Sequence, residues 1–357
     1  MLPVLSLLSL AAILLYFWGR NCSLPKRITL DAFLVKPNMT QNAWHALPNL
    51  RQLQWPKPPC AKSPTGRKYR NGTVYPLPPA FLPVMSCGQR ALSKRMLKRF
   101  SDLMFENGLG DRFILNAGTL VGSFQHHDFV PWDDDVDVLV DLGVRTKVRE
   151  LLQTLEPEFK SIAHPRHDKI FAPIIDERLN DFDVQRSRKT SRLAWGWPFL
   201  DIGYFESNAT HLWDQTNRNQ PSKILAKLIV FPLMFRPLGL DWYPTPYDTL
   251  GFIRKVYGKT GGCSMFGYSH VLEGRGPRGH VSCWNLGRRY AFVQRTLAPP
   301  GQYEFVDSHL NEVFTVGEEI LFYRSRKGPL IVHKIPIPTF LNYTDVNAYA
   351  FGDEDLA

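Results

Sequence analysis

The sequence lacks the features of several common classes of protein. It has no zinc-finger spacing, no RNA-recognition signature and no basic helix with heptads. It has no internal repeat, and a composition of 44% hydrophobic and 21% charged residues is not that of a disordered chain. Lys and Arg exceed Asp and Glu by 43 to 33, and the formal charge of +10 suits a polyanionic ligand or a membrane surface. Because the basic residues are scattered, we predict no nucleic-acid partner.

Long apolar runs are also scarce. Residues 2–18 form one, interrupted only by two serines, and its length just reaches the lower limit of about 17 residues for a membrane-spanning helix. Its end carries aromatic residues where a signal-peptidase site needs small ones, which favours an uncleaved signal anchor at residues 1–19 over a cleaved signal peptide. A second apolar stretch, residues 224–235, contains charge and proline and predicts a core strand or helix.

Glycosylation sequons are spread along the chain. They begin at Asn38, Asn71, Asn208 and Asn342. Together with the N-terminal apolar run, they predict a single-pass type II membrane protein whose bulk lies in the lumen of the Golgi apparatus or the endoplasmic reticulum. In that oxidising compartment two disulfides can form, with three pairings open, among Cys60, Cys87, Cys263 and Cys283, and Cys22 is left over.

Three regions follow the predicted anchor. Residues 20–85 are rich in proline and show no sustained period, which predicts a stem. Order is expected to begin near Gln89, with a helix to Asn107, and the mixture of helices and strands that follows indicates an α+β domain. The further predicted elements are strands at 113–115, 136–140, 182–186 and 198–205 and helices that start at Gly118 and span 144–155. Residues 261–357 are predicted to be a Gly-rich, basic segment with a small β appendage at 313–323 and 329–336.

The acidic run Trp132-Asp133-Asp134-Asp135-Val136-Asp137 carries the clearest chemical signal. Alternate residues of a strand share a face, so Asp133, Asp135 and Asp137 are expected about 7 Å apart on one face, with Asp134 pointing elsewhere. Three such carboxylates repel one another unless a cation lies among them, and hard oxygen ligands select Mg²⁺ or Mn²⁺. A solvated acidic loop or a structural Ca²⁺ site is the alternative. An EF-hand is disfavoured because its Gly and closing Glu are missing.

A glycine-containing turn lies just upstream, at residues 116–123. It places Gly118 and Thr119 where a strand turns into a helix, which leaves N–H groups that can bind phosphate, and Gly122 and Ser123 follow one turn later. Polymerase-type nucleotidyltransferases use the same order, a glycine turn followed by Asp-x-Asp. The two motifs together therefore predict a site for a metal and a phosphorylated donor.

Residues 113–138, FILNAGTLVGSFQHHDFVPWDDDVDV, resemble the signature of the LicD family, which includes bacterial phosphocholine transferases, fukutin and fukutin-related protein. The family pattern runs Gly-Thr-Leu-Leu-Gly, then an Arg-His pair, then Phe-Ile-Pro-Trp-Asp-Asp-Asp-Ile-Asp. The matching positions are Gly118, Thr119, Leu120, Gly122, His126, Phe129, Pro131, Trp132, Asp133, Asp135 and Asp137. The family's Arg is Gln125 here, which removes a cation that could hold the donor's phosphates. The likeness extends over residues 89–260, so residues 86–260 are predicted to be a LicD-like catalytic domain.

The resemblance implies a nucleotidyltransferase-like mixed sheet with flanking helices and a third carboxylate on a neighbouring strand. Asp201, between Leu200 and Ile202, fits that position. The implied metal ligands are Asp133, Asp135, Asp137 and Asp201, of which the last three are also catalytic. The implied donor-phosphate contacts are Gly118, Thr119, Gly122, Ser123, Gln125, His126, Arg186 and Arg188.

The implied reaction is the metal-dependent transfer of a phospho-substituent, such as ribitol phosphate or phosphocholine, from a CDP-linked donor to a glycan hydroxyl, with release of CMP. The implied partners are that donor, a glycan or glycoprotein acceptor and the membrane. Two alternatives stay open. One is a Golgi nucleotide-sugar glycosyltransferase with an Asp-x-Asp metal site, and the other is a catalytically silent lumenal protein that binds glycans or acts as a chaperone.

Overall fold

The computed structural model describes residues 26–68, 74–175, 183–189, 193–215, 224–258, 262–298, 303–306 and 314–340. The predicted anchor, Cys22 and the sequons at Asn71 and Asn342 lie outside these ranges. Within them, no helix is both long enough and apolar enough to span a bilayer.

Helices and strands alternate along the described chain. The α-helices are α1 Gln41–Ala46, α2 Cys87–Glu106, α3 Ala117–His126, α4 Arg145–Gln153, α5 Lys227–Val230, α6 Thr249–Tyr257 and α7 Cys283–Leu286, and 3₁₀ turns occupy Leu30–Phe33, Leu50–Gln52, Gly110–Arg112 and Leu142–Val144. The first ten strands are β1 Lys26–Thr29, β2 Arg67–Lys68, β3 Val74–Tyr75, β4 Phe113–Leu115, β5 Val136–Asp141, β6 Lys160–Ala163, β7 Asp168–Phe171, β8 Arg188–Lys189, β9 Gly196–Trp197 and β10 Phe199–Ser207. The others are β11 His211–Asp214, β12 Ile224–Ala226, β13 Met234–Leu238, β14 Asp241–Thr245, β15 Cys263–Ser269, β16 Gly274–Val281, β17 Phe292–Leu297, β18 Tyr303–Val306, β19 Phe314–Ser325 and β20 Gly328–Phe340.

A seven-stranded mixed sheet forms the centre of the domain. Its strands run in the order β12-β11-β10-β5-β4, with β7 paired to β10 and β6 paired to β7. Strands β5 and β10 are parallel neighbours, whereas β4 and β7 are antiparallel to them. The helices α2, α3 and α4 contribute apolar residues to the same core as the sheet. The predicted α+β class is therefore confirmed.

Local sequence explains where the central helices begin. Helix α2 starts after Ser86, whose side chain accepts from the Gln89 N–H while the Gln89 side chain accepts from the Ser86 N–H, a reciprocal capping box. The helix thus begins at Cys87, slightly before the predicted start at Gln89. Helix α3 connects β4 to β5, so it delivers its N-terminus to the end of the sheet where β5 begins.

The region predicted to be a stem packs against the domain instead. Phe33, Leu47 and Leu50 are buried in the main core, and the Trp44 ring meets the Phe105 ring edge to face with centroids 5.2 Å apart. A disulfide joins Cys60 to the first residue of α2, Cys87. The expectation that order begins near Gln89 is wrong, because single large apolar residues anchor this segment without any periodic pattern.

The C-terminal region is more ordered than its composition suggests. Strands β15 and β16 form an antiparallel hairpin, and a disulfide joins Cys263 to Cys283 just beyond it. Strands β17, β19 and β20 form a separate sheet, and Ile335 and Ile337 of β20 reach the main core. The predicted appendage therefore packs as part of the domain.

Two segments differ from their predicted secondary structure. The described part of the predicted strand 182–186, residues 183–186, is not strand, and pairing starts at Arg188 of β8, which lies opposite Trp197 of β9. The apolar stretch 224–235 is divided among β12, α5 and the start of β13, since Pro232 interrupts it.

Candidate active site

The acidic run lies where β5 enters the sheet. Strand β5 begins only at Val136, after a turn in which the Asp133 N–H donates to the Val130 carbonyl at 3.2 Å. Of the predicted strand-face carboxylates, Asp137 alone lies in the strand, and Asp133 and Asp135 lie in the preceding loop. The expectation of three carboxylates on one strand face is therefore wrong, although the carboxylates remain close enough to affect one another.

Asp201 stands beside Asp137 on the adjacent parallel strand. The β5–β10 register pairs these two residues, and the flanking Leu200 and Ile202 are fully buried. This is the position that the family resemblance implies for a third carboxylate. The neighbour on the other side is Lys169 of β7, whose Nζ donates to Asp201 Oδ2 at 2.8 Å and lies 3.6 Å from the centroid of the Phe199 ring. Lys169 is thus the cation beside this carboxylate.

Asp134 connects the acidic loop to the β15–β16 hairpin. Its Oδ2 accepts from the His270 N–H at 2.9 Å and from the Ser269 hydroxyl at 3.2 Å, and its Oδ1 lies 2.8 Å from His270 Nδ1. The other ring nitrogen of His270, Nε2, lies 3.2 Å from Asp135 Oδ2. Asp134 does not point away from the site, because its carboxylate lies near that of Asp135 and the two hold His270 between them.

Burial and mutual repulsion raise the pKa values of the carboxyl groups. Burial, with Asp134 and Asp137 adding to it, raises the pKa of Asp133 to about 7. Burial likewise raises the pKa of Asp135 to about 8 and that of Asp137 well above its ordinary value. Burial alone would lower the pKa of His270, but Asp135 and Asp134 raise it well above the usual range. The carboxylates of the site therefore have too little positive charge around them, and the His270 imidazole compensates part of their negative charge.

Some carboxylate oxygens lack a protein partner. Asp133 Oδ2 and Asp201 Oδ1 are buried and accept no hydrogen bond from the described residues. A compact group of candidate metal ligands is formed by Asp134, Asp135 and His270, whose ligand atoms lie within 4.8 Å of one another. Asp134 and His270 were not among the predicted ligands, and Asp135 is the predicted ligand that this group contains.

A cavity opens above the acidic loop. Its acidic side is formed by Asp133, Asp134, Asp135 and Asp137, and Gly118 and Gln125 of α3 also line it. The opposite wall is apolar and aromatic, with Tyr257 of α6 and with Met265, Phe266 and Tyr268 of β15. The Tyr257 and Phe266 rings are stacked, with centroids 5.9 Å apart and planes 14° from parallel, and Phe266 is 72% exposed.

The glycine turn contributes to the site by its shape. A Cβ on Gly118 would lie 2.0 Å from Asp133 Oδ2, so the absence of a side chain there lets the carboxylate approach the N-terminus of α3. Thr119 is fully buried, and its hydroxyl accepts from the Asp137 N–H at 2.9 Å. Thr119 therefore positions Asp137, which differs from the predicted direct contact with donor phosphates.

Other predicted phosphate contacts lie away from this cavity. Gly122 packs against the backbone of residues 128–130, where any Cβ would collide. The buried Ser123 hydroxyl donates to the Pro237 carbonyl at 2.8 Å, and His126 Nδ1 bonds to the Ala291 carbonyl at 2.7 Å. Arg188 is buried against Trp197 and donates to the Thr65 carbonyl, and the exposed Arg186 does not line the cavity. The sequence pattern identified the helix but not which of its faces meets the cavity.

The structure adds residues that the sequence reasoning missed. Lys169 lies in the buried strand Asp168–Phe171, beside Asp168, and a charged pair next to two apolar residues is only a weak signal. His270 lies beyond residue 260, in the segment predicted to be Gly-rich and basic, and no local pattern marks it as a site residue. The predicted domain boundary at residue 260 stays a prediction, but the cavity uses residues on both sides of it.

Comparison with known proteins identifies the family that this chain resembles. Residues 110–248 match the family model described as LicD/FKTN/FKRP, nucleotidyltransferase domain, which confirms the resemblance found in residues 113–138. A protein of Rickettsia typhi that is itself described as uncharacterized is 28% identical over 171 residues, which is 47% of this chain and 47% of that relative. The chain therefore spans about half the length of this relative. The family match indicates a transferase of the phosphotransferase or nucleotidyltransferase type.

Proposed function

We propose that this protein transfers a phospho-substituent, such as an alditol phosphate or phosphocholine, from a CDP-linked donor to a glycan hydroxyl and releases CMP. The observation that carries the proposal is the pair Asp137 and Asp201, which lie side by side on parallel strands, with Asp137 lining a cavity that has an aromatic wall. Two carboxylates on adjacent strands can divide the work of holding a donor and accepting a proton.

The chemistry of the site fits a divalent cation. Two buried carboxylate oxygens, on Asp133 and Asp201, have no partner among the described residues, and burial raises the pKa values of the neighbouring carboxyls. Carboxylate oxygens are the ligands that Mg²⁺ and Mn²⁺ prefer, and we propose that Asp133, Asp135, Asp137 and Asp201 hold such an ion. When bound, it neutralises charge on the phosphates of the donor.

The protein's own groups account for the remaining steps. The Lys169 ammonium holds one oxygen of Asp201, and the other is free to accept the proton of the acceptor hydroxyl. As the acceptor oxygen bonds to the transferred phosphorus, the bond from that phosphorus to the bridging oxygen breaks and CMP leaves. His270 adds positive charge near the carboxylates, where Gln125 offers none. The exposed face of Phe266, backed by Tyr257, suits a stacked cytosine.

We place the reaction in the lumen of the secretory pathway, on a type II single-pass protein. The sequon residues Asn38 and Asn208 are exposed, as a glycan requires. Two disulfides, Cys60–Cys87 and Cys263–Cys283, suit an oxidising compartment.

Nucleotide release from a panel of donors tests the proposal. The purified full chain is incubated with a glycan acceptor and with CDP-ribitol, CDP-choline or a UDP-linked sugar, in Mg²⁺ or in a chelator. We expect CMP from a CDP donor, and no CMP in the chelator. Release of UDP from the UDP-linked sugar would identify a glycosyltransferase instead. A folded protein that releases no nucleotide from any donor would overturn the proposal in favour of a silent binding protein.

A further inference from the structure

A second cavity lies at the end of α3, separate from the acidic one. Its walls come from residues 56–60 and Lys62 near the N-terminus, from the loop 128–131 and from residues 289–291. Arg90 of α2 and His126 of α3 line it, and both side chains are at least nine-tenths buried. The disulfide at Cys60 fixes one wall to the start of α2. No step of the proposed transfer uses this cavity.

His126 presents a hydrogen-bond acceptor here. Its Nδ1 lies 2.7 Å from the Ala291 carbonyl oxygen, which can only accept, so Nδ1 carries the hydrogen. Burial lowers the pKa of His126 to about 4, so the ring is neutral at pH 7 and Nε2 keeps its lone pair. Nε2 is buried and has no partner among the described residues. A ligand in this cavity would satisfy it by donating a hydrogen bond.

Arg90 presents a donor in the same cavity. One terminal nitrogen of its guanidinium donates to the Phe129 carbonyl at 2.8 Å and the other points to the Val130 carbonyl at 3.5 Å. Its Nε–H, by contrast, is buried without a partner among the described residues. The positive charge of Arg90 helps to keep the nearby imidazole of His126 neutral. A ligand in this cavity would therefore have a charged hydrogen-bond donor, Arg90 Nε–H, beside a neutral acceptor, His126 Nε2.

The remaining charge of the cavity is positive. Lys57, Lys62 and Arg289 are exposed at its rim. Among the described residues that line it, the one carboxylate is Asp128, which is already paired with Lys94 at 2.8 Å and lies 3.6 Å from Arg90. An anion is therefore favoured over a neutral ligand or a cation.

We propose that this cavity binds a hydroxylated anion of the kind found in an acidic sugar. A ligand hydroxyl donates to His126 Nε2, and an anionic oxygen accepts from Arg90 Nε–H. The rim cations add long-range attraction. The arrangement makes the cavity a glycan-binding site that is independent of the transfer chemistry at Asp137 and Asp201.

Binding of glucuronate to the full chain, measured by calorimetry or NMR without any nucleotide donor, tests the proposal. Glucose supplies the hydroxyls without the charge, and acetate supplies the charge without the hydroxyls. We expect glucuronate to bind at least about tenfold more tightly than either, since only it can satisfy both groups. Equal binding of acetate would reduce the cavity to a general cationic patch, and equal binding of glucose would remove the role of Arg90. Either result, or no binding of glucuronate, would overturn the proposal.

Variants of His126 locate the binding. His126→Asn can keep a donor to the Ala291 carbonyl but has no atom at the Nε2 position, and we expect it to weaken glucuronate binding about tenfold. His126→Gln places an amide near that position and should restore part of the affinity. If His126→Asn does not fold, judged by its melting temperature, Arg90→Lys removes the Nε–H while keeping the charge. Asp137→Asn should leave glucuronate binding unchanged, and a loss there would assign the binding to the acidic cavity and refute a second site.

Discussion

Two groups of buried acidic residues lie near α3, and they differ in how well their negative charge is compensated by nearby positive charge. On one side, the carboxylates of Asp133, Asp135 and Asp137 are buried with too little positive charge nearby, and their pKa values are raised. On the other side, Glu319 is buried, and the guanidinium groups of Arg236 and Arg295, with a hydrogen bond to His127, hold its pKa well below the usual range. We infer that the uncompensated side is built to receive a ligand, whereas the compensated side holds the C-terminal sheet to the domain.

The largest effect is expected on the acidic side, at Asp201. Asp201→Asn keeps the shape of the side chain and removes its charge. If Asp201 accepts the acceptor's proton, turnover measured as CMP release should fall about 10²–10⁴-fold while the affinity for the CDP donor changes little. Glu206→Gln, farther along the same strand β10, is the matched control. Near-normal turnover of Asp201→Asn would show that another group is the base.

Asp137 should behave differently from Asp201, because it is proposed to hold the donor through the metal. Asp137→Asn should lower turnover about 10²–10³-fold and weaken Mg²⁺-dependent donor binding with it. Asp141→Asn, at the other end of β5, removes a carboxylate that caps Gly143 and pairs with the exposed Arg112, and it should have little effect. Equal losses in the two variants would mean that the strand, and not the carboxylate at its start, carries the effect.

Removing the charge of the buried Glu319 should affect the stability of the fold and not turnover. Glu319→Gln leaves the buried guanidinium groups of Arg236 and Arg295 without their carboxylate, and we expect the free energy of unfolding to fall by about 3–5 kcal/mol. Glu318→Gln removes a carboxylate that pairs with the half-exposed Lys334 and should cost less than about 1 kcal/mol. Denaturant titration of both variants measures the difference. Similar costs would show that the buried cluster has no special role.

The last effect is a response of stability to pH, and it should have opposite signs at His126 and at Asp135. His126 has a folded-state pKa of about 4 against an ordinary 6.5, so the unfolded chain takes up its proton first and stability falls as the pH drops from 6.5 to 4, by at most about 1.4 kcal/mol per pH unit. Asp135 has a folded-state pKa of about 8 against 3.8, so in the absence of metal it contributes stability that is present at low pH and is lost as the pH rises through 8.

Unfolding free energies measured across pH in a chelator check both signs. Compared with the parent protein, His126→Asn should lose stability less steeply in acid, and Asp135→Asn should fail to gain the stability that the protonated carboxyl provides. An unchanged pH profile in either variant would contradict the corresponding assignment.

What the sequence could predict depends on how local each feature is. Strand β4 matches its predicted limits, residues 113–115, and β5 starts where predicted, because short apolar runs next to turn residues specify buried strands locally. Asp201 could be placed because the family resemblance implies a third carboxylate between apolar residues, and Leu200 and Ile202 are indeed buried on either side of it. The two strands rest on spacing within a few residues, and Asp201 rests on the resemblance as well.

The remaining features depend on contacts between distant parts of the chain. No local pattern shows that Lys169 lies opposite Asp201, since that follows from the pairing of β7 with β10. The direction of the His126 side chain is set by its bond to the Ala291 carbonyl, just before β17. Phe33 is buried because the N-terminal region packs against the main core. A helix has several faces, and its sequence period does not say which face will meet which cavity.

The bond between Asp134 and His270 has a consequence for the order in which the protein is made. The acidic loop leaves the ribosome 136 residues before its histidine partner. Until that partner arrives, the nascent chain carries a cluster of carboxylates, with neither the imidazole that balances them nor the aromatic wall of β15. The β15–β16 hairpin supplies one wall of the cavity, so that a chain stopped after residue 248 would contain the whole family match and still lack a complete site.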